Sequence, residues 1–237
     1  MNILLWLAYK GTNYSGFQVQ PNGVTVCAVV QDAMQSVFGT RPDVKGCSRT
    51  DAGVHARRFA LNFHYDGRIP VQRIPLALNA RLPMDVRALA AQQVPDDFHA
   101  RYAAHAKPYH YRGTGRLDLA AMQAAAAHFV GRHDFLALCA SGSSAAAHGD
   151  TVRTITACTV QQDGELYTLS VTADGYLYNM VRILAGTVLQ AGLGKMNPAA
   201  VPALLQSRNR GQAGPTLPAR GLFLWDVQYP DLERPND

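Results

Sequence analysis

The strongest constraint on the fold is a pattern of elements that runs through the chain twice. Residues 3–9 form a short apolar run ending at a turn, the signature of a buried strand. Residues 11–23 are rich in turn formers. Residues 24–38 place Val29, Val30, Ala33, Met34 and Val37 on one helical face and stop at Gly39. After a loop at 46–53, Phe59, Leu61, Phe63 and Tyr65 alternate at the period of a strand. Pro70 sits near the start of a helix predicted through Asn79, and residues 86–94 read as extended. In the second half, residues 102–112 suit a strand. Asp118 is positioned to cap an alanine-rich helix over 119–130. Asp163-Gly164 joins strands 152–162 and 166–172 as a hairpin. Helices are predicted over 176–191 and 201–207, and a last strand over 222–229.

Each half therefore reads β-α-β-β-α-β. The fold class is α+β, with two ferredoxin-like units. Such units are expected to form one extended mixed or antiparallel sheet, with helices on one face and the other face open to a ligand. The halves divide near residue 100, giving residues 1–100 and 101–237.

Composition narrows the function. No apolar run approaches the roughly 18 residues of a membrane span, so no membrane association is expected. The first residues read as a strand and not as a signal peptide. Net charge is +5, and residues 41–101 hold ten Lys or Arg against six acids. An arginine-rich segment of this kind suits a polyanion such as RNA, although a solvated basic surface has the same composition. Cys27, Cys47, Cys139 and Cys158 form no C-x-x-C pair and have no histidine at zinc spacing. They are expected to be reduced thiols in a cytoplasmic protein, with Cys47 a small packing residue. No metal site is expected.

The chemistry concentrates in GCSRTDAGVHA, residues 46–56. Asp51 sits among small residues, with Arg49 two positions before it and His55 four after. A nearby guanidinium would keep such a carboxylate ionised and aim it. Ser48, Asp51 and His55 also invite a hydrolase triad. Against that, all three crowd into one loop and no G-x-S-x-G surrounds the serine.

RTDAGVHA resembles the catalytic signature of TruA-type pseudouridine synthases, with Ser48 where the family usually has glycine. Further similarities follow in order. DDFHARY (96–102) leads to AKPYHY (106–111), then DGYLYNMVRILAGTVLQAGLGK (174–195) and GPTLPARGLFLWDVQYP (214–230). The resemblance extends back to YKGTNYSGFQVQPN at Tyr9 and covers nearly the whole chain. It implies the pseudouridine synthase fold and isomerisation of uridine in the anticodon stem-loop of tRNA, at tRNA positions 38 to 40. It implies Asp51 as the catalytic aspartate, Arg49 as its close basic neighbour and Arg182 as its paired arginine. Tyr109 would lie against the target base, and Leu222 would seal the pocket. Arg57 and Arg58, just after the motif, are candidate phosphate contacts. The family acts as a homodimer, and its reaction requires neither a metal nor a nucleotide cofactor. After Tyr111 the chain turns quickly through Gly113 and Gly115, where many relatives carry an insertion. Residues 145–149 read as a mobile small-residue loop.

Overall fold

A computed structural model describes residues 1–230 and Leu232. It contains two compact units. One comprises residues 1–105 together with the segment beginning at Phe223; the other comprises residues 106–222.

The first unit is built from β1 (Asn2–Tyr9), α1 (Val26–Phe38), β2 (Lys45–Gly46), β3 (His55–His64), α2 (Ile74–Asn79) and β4 (Val86–Val94). β1 pairs antiparallel with both β3 and β4, and β2 pairs antiparallel with β3. The resulting order, β4-β1-β3-β2, is that of a ferredoxin-like sheet. Helix α1 starts at Val26 because Thr25, buried before it, accepts a hydrogen bond from the Ala28 amide. It stops at Gly39, which takes the left-handed conformation (φ 77°) that glycine adopts at least cost.

β1 is buried on both faces, and the register explains why. Ile3, Leu5 and Leu7 lie opposite Phe63, Leu61 and Phe59, and Phe63 stacks on Phe38 of α1. On the other face Trp6 meets Tyr229 edge-on at 5.9 Å. There Asn2 donates to the carbonyls of Pro95 (3.0 Å) and Phe98 (2.9 Å), and Asn62 accepts from the Ala100 amide (2.8 Å). The chain after β4 and the segment carrying Tyr229 thus cover a face that the pattern alone left open for a ligand. A buried pair of asparagines must satisfy its polar atoms, and the carbonyls of 95–98 do so.

The second unit contains β5 (Lys107–Thr114), α3 (Leu119–Ala127), β6 (Gly131–Asp134), α4 (Ser144–Ala147), β7 (Val152–Asp163), β8 (Leu166–Ala173), α5 (Met180–Gly192) and α6 (Val201–Ser207). β8 pairs antiparallel with β5 and β7, and β6 with β7. Asp118 caps α3 through the Ala121 amide at 2.9 Å, as its position predicts.

Several boundaries differ from the sequence reading: α1 begins at Val26, α3 stops at Ala127 short of residue 130, and the stretch expected as a loop over 145–149 carries most of the short helix α4. The strand expected from residue 102 begins at Lys107. Helix α5 begins at Met180, not at residue 176, because Asn179 stands in the left-handed region (φ 59°) and breaks the turn before it. The last strand is only β9 (Leu222–Leu224), whose Phe223 and Leu224 run parallel to β3 opposite His55 and Ala56.

Candidate active site

In the first unit, Asp51 occupies the tip of a loop that short-range contacts hold in place. The Phe17 amide donates to the Thr50 carbonyl (3.1 Å), the Gly53 amide to Tyr14 O (3.2 Å), and the Val54 amide to Asp51 O (3.2 Å). The buried Thr50 hydroxyl lies 2.8 Å from the Tyr9 hydroxyl. Two glycines of the 11–17 segment allow this approach. A Cβ on Gly11 would lie 1.9 Å from Val54 O, and one on Gly16, itself at φ +86°, would lie 2.6 Å from Thr50 O. The motif's second half is scaffold. His55 is buried, accepts the Gly11 amide on Nδ1 (3.0 Å) and stacks on Phe223 at 4.7 Å. That role sets His55 against a hydrolase triad: with Nδ1 accepting a backbone N–H, the neutral ring carries its proton on Nε2, the reverse of the tautomer that a triad base needs. Cys47 is fully buried and its Sγ accepts the Ala60 amide, the packing role expected of it.

The other arginines of this unit divide. Arg49 is exposed on the Asp51 loop. Arg57 lies with its guanidinium carbon 4.7 Å from the centre of the Trp225 ring. Arg58 is drawn inward, 3.8 Å from Asp226, with side chains 12% and 7% exposed. Both have structural partners on the segment after β9, a feature that their place in the sequence did not signal.

In the second unit, Arg182 is anchored. Its Nε donates to Leu217 O (2.7 Å) and its Nη1 to Asn179 Oδ1 (2.7 Å). The Leu217 amide returns a bond to Arg182 O (3.3 Å). The 214–217 segment can run this close because Gly186 faces it: a Cβ there would lie 1.9 Å from Pro215 O. Thr187 Oγ1 accepts the Gly214 amide at 3.0 Å. This arginine is therefore fixed in place and does not snorkel to solvent. Its charge, with that of Arg220, acts on Tyr111, whose phenol burial pushes up in pKa against that pull. Tyr111 donates to Pro218 O (3.1 Å).

Tyr109 is buried on β5 opposite Val171 and meets the Tyr176 ring edge-on at 5.0 Å and 80°. Tyr176 is pinned by bonds to Lys107 O (2.7 Å) and Val171 O (3.0 Å). Burial holds its phenol well above the usual range, so it stays protonated as a donor. Leu222 is buried at the head of β9. Sequence reasoning missed Asn179, Tyr176 and the Leu217 carbonyl. The only available signal was an asparagine directly before an apolar helix that carries one arginine.

Among the described residues no group of three or more His, Cys, Asp or Glu is placed to hold a metal ion, and no helix is long and apolar enough to cross a membrane.

Comparisons with known proteins give the family. A family model described as tRNA pseudouridine synthase matches residues 6–103 and 125–230. A "tRNA pseudouridine synthase A" of Caldicellulosiruptor saccharolyticus is 40% identical, over 96% of this chain and 99% of its own length. The protein of the same name from Moorella thermoacetica is 44% identical, over 94% and 97%. That from Citrifermentans bemidjiense is 42% identical, over 96% and 97%. A solved structure, "Crystal structure of the archaeal box H/ACA sRNP Nop10-Cbf5 complex", is similar at a TM-score of 0.37 and 12% identity, over 79% of this chain and 44% of that one. With the Asp51 loop intact and relatives aligned almost end to end, the chain belongs to the tRNA pseudouridine synthase family.

Proposed function

We propose that this protein converts uridine to pseudouridine in the anticodon stem-loop of tRNA, with Asp51 as the nucleophile. The family is one of isomerases. One observation carries the assignment: the motif loop holds Asp51 half-buried while its neighbours Thr50, Gly53 and His55 are engaged with the 9–17 segment and the Val54 amide returns to Asp51 O. A carboxylate held on such a loop is preorganised for attack at a sugar carbon.

The reaction is balanced without an outside reagent. The N1–C1′ bond breaks as electrons pass to the uracil. Asp51 either bonds to C1′ or removes a C2′ proton to leave a glycal. The uracil turns and C5 bonds to C1′, either displacing the Asp51 carboxylate from C1′ or, on the glycal route, as Asp51 returns the proton to C2′; the C5 hydrogen then leaves as a proton, and N1 ends protonated. The carboxylate must be ionised, and the sequence resemblance supplies Arg182 as its partner. A guanidinium has five N–H donors, enough for its anchors and for a carboxylate. Tyr109 offers a ring face to the base and a hydroxyl for proton transfer. Leu222 excludes water while the base is detached. The uridine must leave its stack, at a cost of a few kcal/mol recovered from backbone contacts. Arg49, exposed on the loop, and Arg57 supply positive charge for that purpose, whereas Arg58, a candidate from its place in the sequence, is offset by Asp226. The protein acts as a homodimer in the cytoplasm.

The test is position mapping. Unmodified tRNA is incubated with the enzyme, treated with carbodiimide and read by primer extension. Stops confined to the anticodon stem-loop support the assignment. Stops elsewhere, in tRNA or in another RNA, refute the target. A complete absence of stops on bound tRNA refutes the activity.

A further inference from the structure

The second unit contains a cleft lined by none of the residues assigned above to the isomerisation. It measures about 920 Å³ and is lined on one side by Leu136, Ala140 and the serines of the 141–144 turn, and on the other by Arg208, Arg210 and Thr216. Arg208 closes α6 in the left-handed conformation, at φ 53° and ψ 18°. Glycine is the usual residue there because a Cβ is strained. Strain of this kind points to a function for the side chain that is present. The guanidinium lies 3.0 Å from Asp134, with the two side chains 56% and 30% exposed. An ion pair so open to water is weak and exchanges readily for another anion. Arg210 is held differently. Its Nη1 donates to Gly214 O (3.0 Å) and its Nη2 to Thr216 Oγ1 (3.1 Å). Among the described residues no carboxylate pairs with it. One fixed guanidinium, one exchangeable guanidinium and a set of hydroxyls over an apolar floor match a ribose-phosphate segment: phosphate on the arginines, sugar on the hydroxyls.

The geometry points to this cleft as a docking subsite for the phosphodiester backbone of the RNA substrate, separate from the residues that act on the uridine. The inference rests on the tRNA reading above. A free mononucleotide carries the same phosphate chemistry, so the test must separate the two.

The test compares wild type with Arg208→Gly and Asp134→Asn. Arg208→Gly removes the charge and also relieves the backbone strain, so its melting temperature should match or approach that of wild type. Asp134→Asn frees Arg208 and keeps the acceptor that takes the Leu136 amide. The readouts are KM and kcat for tRNA by tritium release, and the salt dependence of tRNA binding. For Arg208→Gly, KM is expected to rise roughly fivefold and the salt slope to fall by about one phosphate contact, with kcat unchanged. Asp134→Asn should bind tRNA at least as tightly as wild type at low salt. An Arg208→Gly protein that melts like wild type with unchanged KM and salt slope overturns the subsite while wild-type isomerisation stands. Free uridine monophosphate is the competing probe. If it binds wild type but not Arg208→Gly while tRNA binding is the same for both, the cleft is a mononucleotide site and the RNA assignment falls. Loss of isomerisation by wild type itself refutes the parent reading, and tRNA binding still judges the subsite.

Discussion

Replacing Gly11 with alanine should slow catalysis without touching a catalytic side chain. The added Cβ would lie 1.9 Å from Val54 O and 2.6 Å from Val54 C, both backbone atoms. Real Cβ atoms do not approach closer than 3.0 Å, so the Val54 carbonyl must retreat by about 1.1 Å. The Val54 amide is bonded to Asp51 O, so the displacement passes to the loop that carries the carboxylate. A misplacement of about 1 Å costs on the order of 100-fold in rate. The expected result is a kcat for tritium release lower by about that factor at a temperature where the variant is folded. Overpacking also costs stability, typically about 1–3 kcal/mol. The control is Gly39→Ala. Gly39 stands at φ +77° with nothing within 4 Å of the point where a methyl would be added, so the change strains the backbone away from the site. It should lose about 1 kcal/mol of stability and keep its kcat. A folded Gly11→Ala enzyme with wild-type kcat would refute the claim that the 11–17 segment sets the position of Asp51.

Asn179→Gly removes the acceptor for Arg182 Nη1 while relieving the left-handed backbone. A charge-assisted hydrogen bond contributes about 1.5–3 kcal/mol, so kcat/KM should fall roughly ten- to a hundredfold with little change in melting, and Asn179→Asp should restore much of it. Arg58→Ala leaves Asp226 buried and should cost on the order of 3 kcal/mol in urea unfolding, whereas Arg49→Ala, at an exposed site, should change stability by less than about 0.5 kcal/mol and weaken tRNA binding instead. Burial pushes the Cys158 thiol from 9.0 up to about 12. The folded protein therefore holds this proton more tightly than the unfolded chain. The stability it contributes is complete below pH 9 and is lost as pH rises towards 12, by about 1.4 kcal/mol per unit. Urea unfolding across that range should fall more steeply with pH for wild type than for Cys158→Ala.

How much could be read in advance follows from the range of the forces involved. Helices α1 and α3 and the β7–β8 hairpin are set by periodicity, caps and turn residues within a few positions, and all three were legible. Thr25 and Asp118 cap through amides three residues away. The closing segment was not legible as far as 229. Its apolar residues suit a strand, but past Leu224 they serve as a cover, with Tyr229 packed on Trp6 and Phe98. Periodicity reports which residues are buried, not what buries them. In the site, Asp51, Tyr109, Arg182 and Leu222 were named through family resemblance. Their supports were not named, because they depend on contacts between distant segments: His55 with Gly11, Arg182 with Leu217, and Tyr176 with Lys107. Arg57 and Arg58 show the same limit. Nothing near them in sequence indicates that Trp225 and Asp226 lie beside them.

The central claim, that Asp51 carries the isomerisation, is tested most directly by tritium release from tRNA labelled at uridine C5. C5 gives up its hydrogen only when it becomes the new point of attachment to the ribose. Wild type should release tritium, and Asp51→Ala should release none while still binding tRNA. Equal release by the two proteins would contradict the assignment.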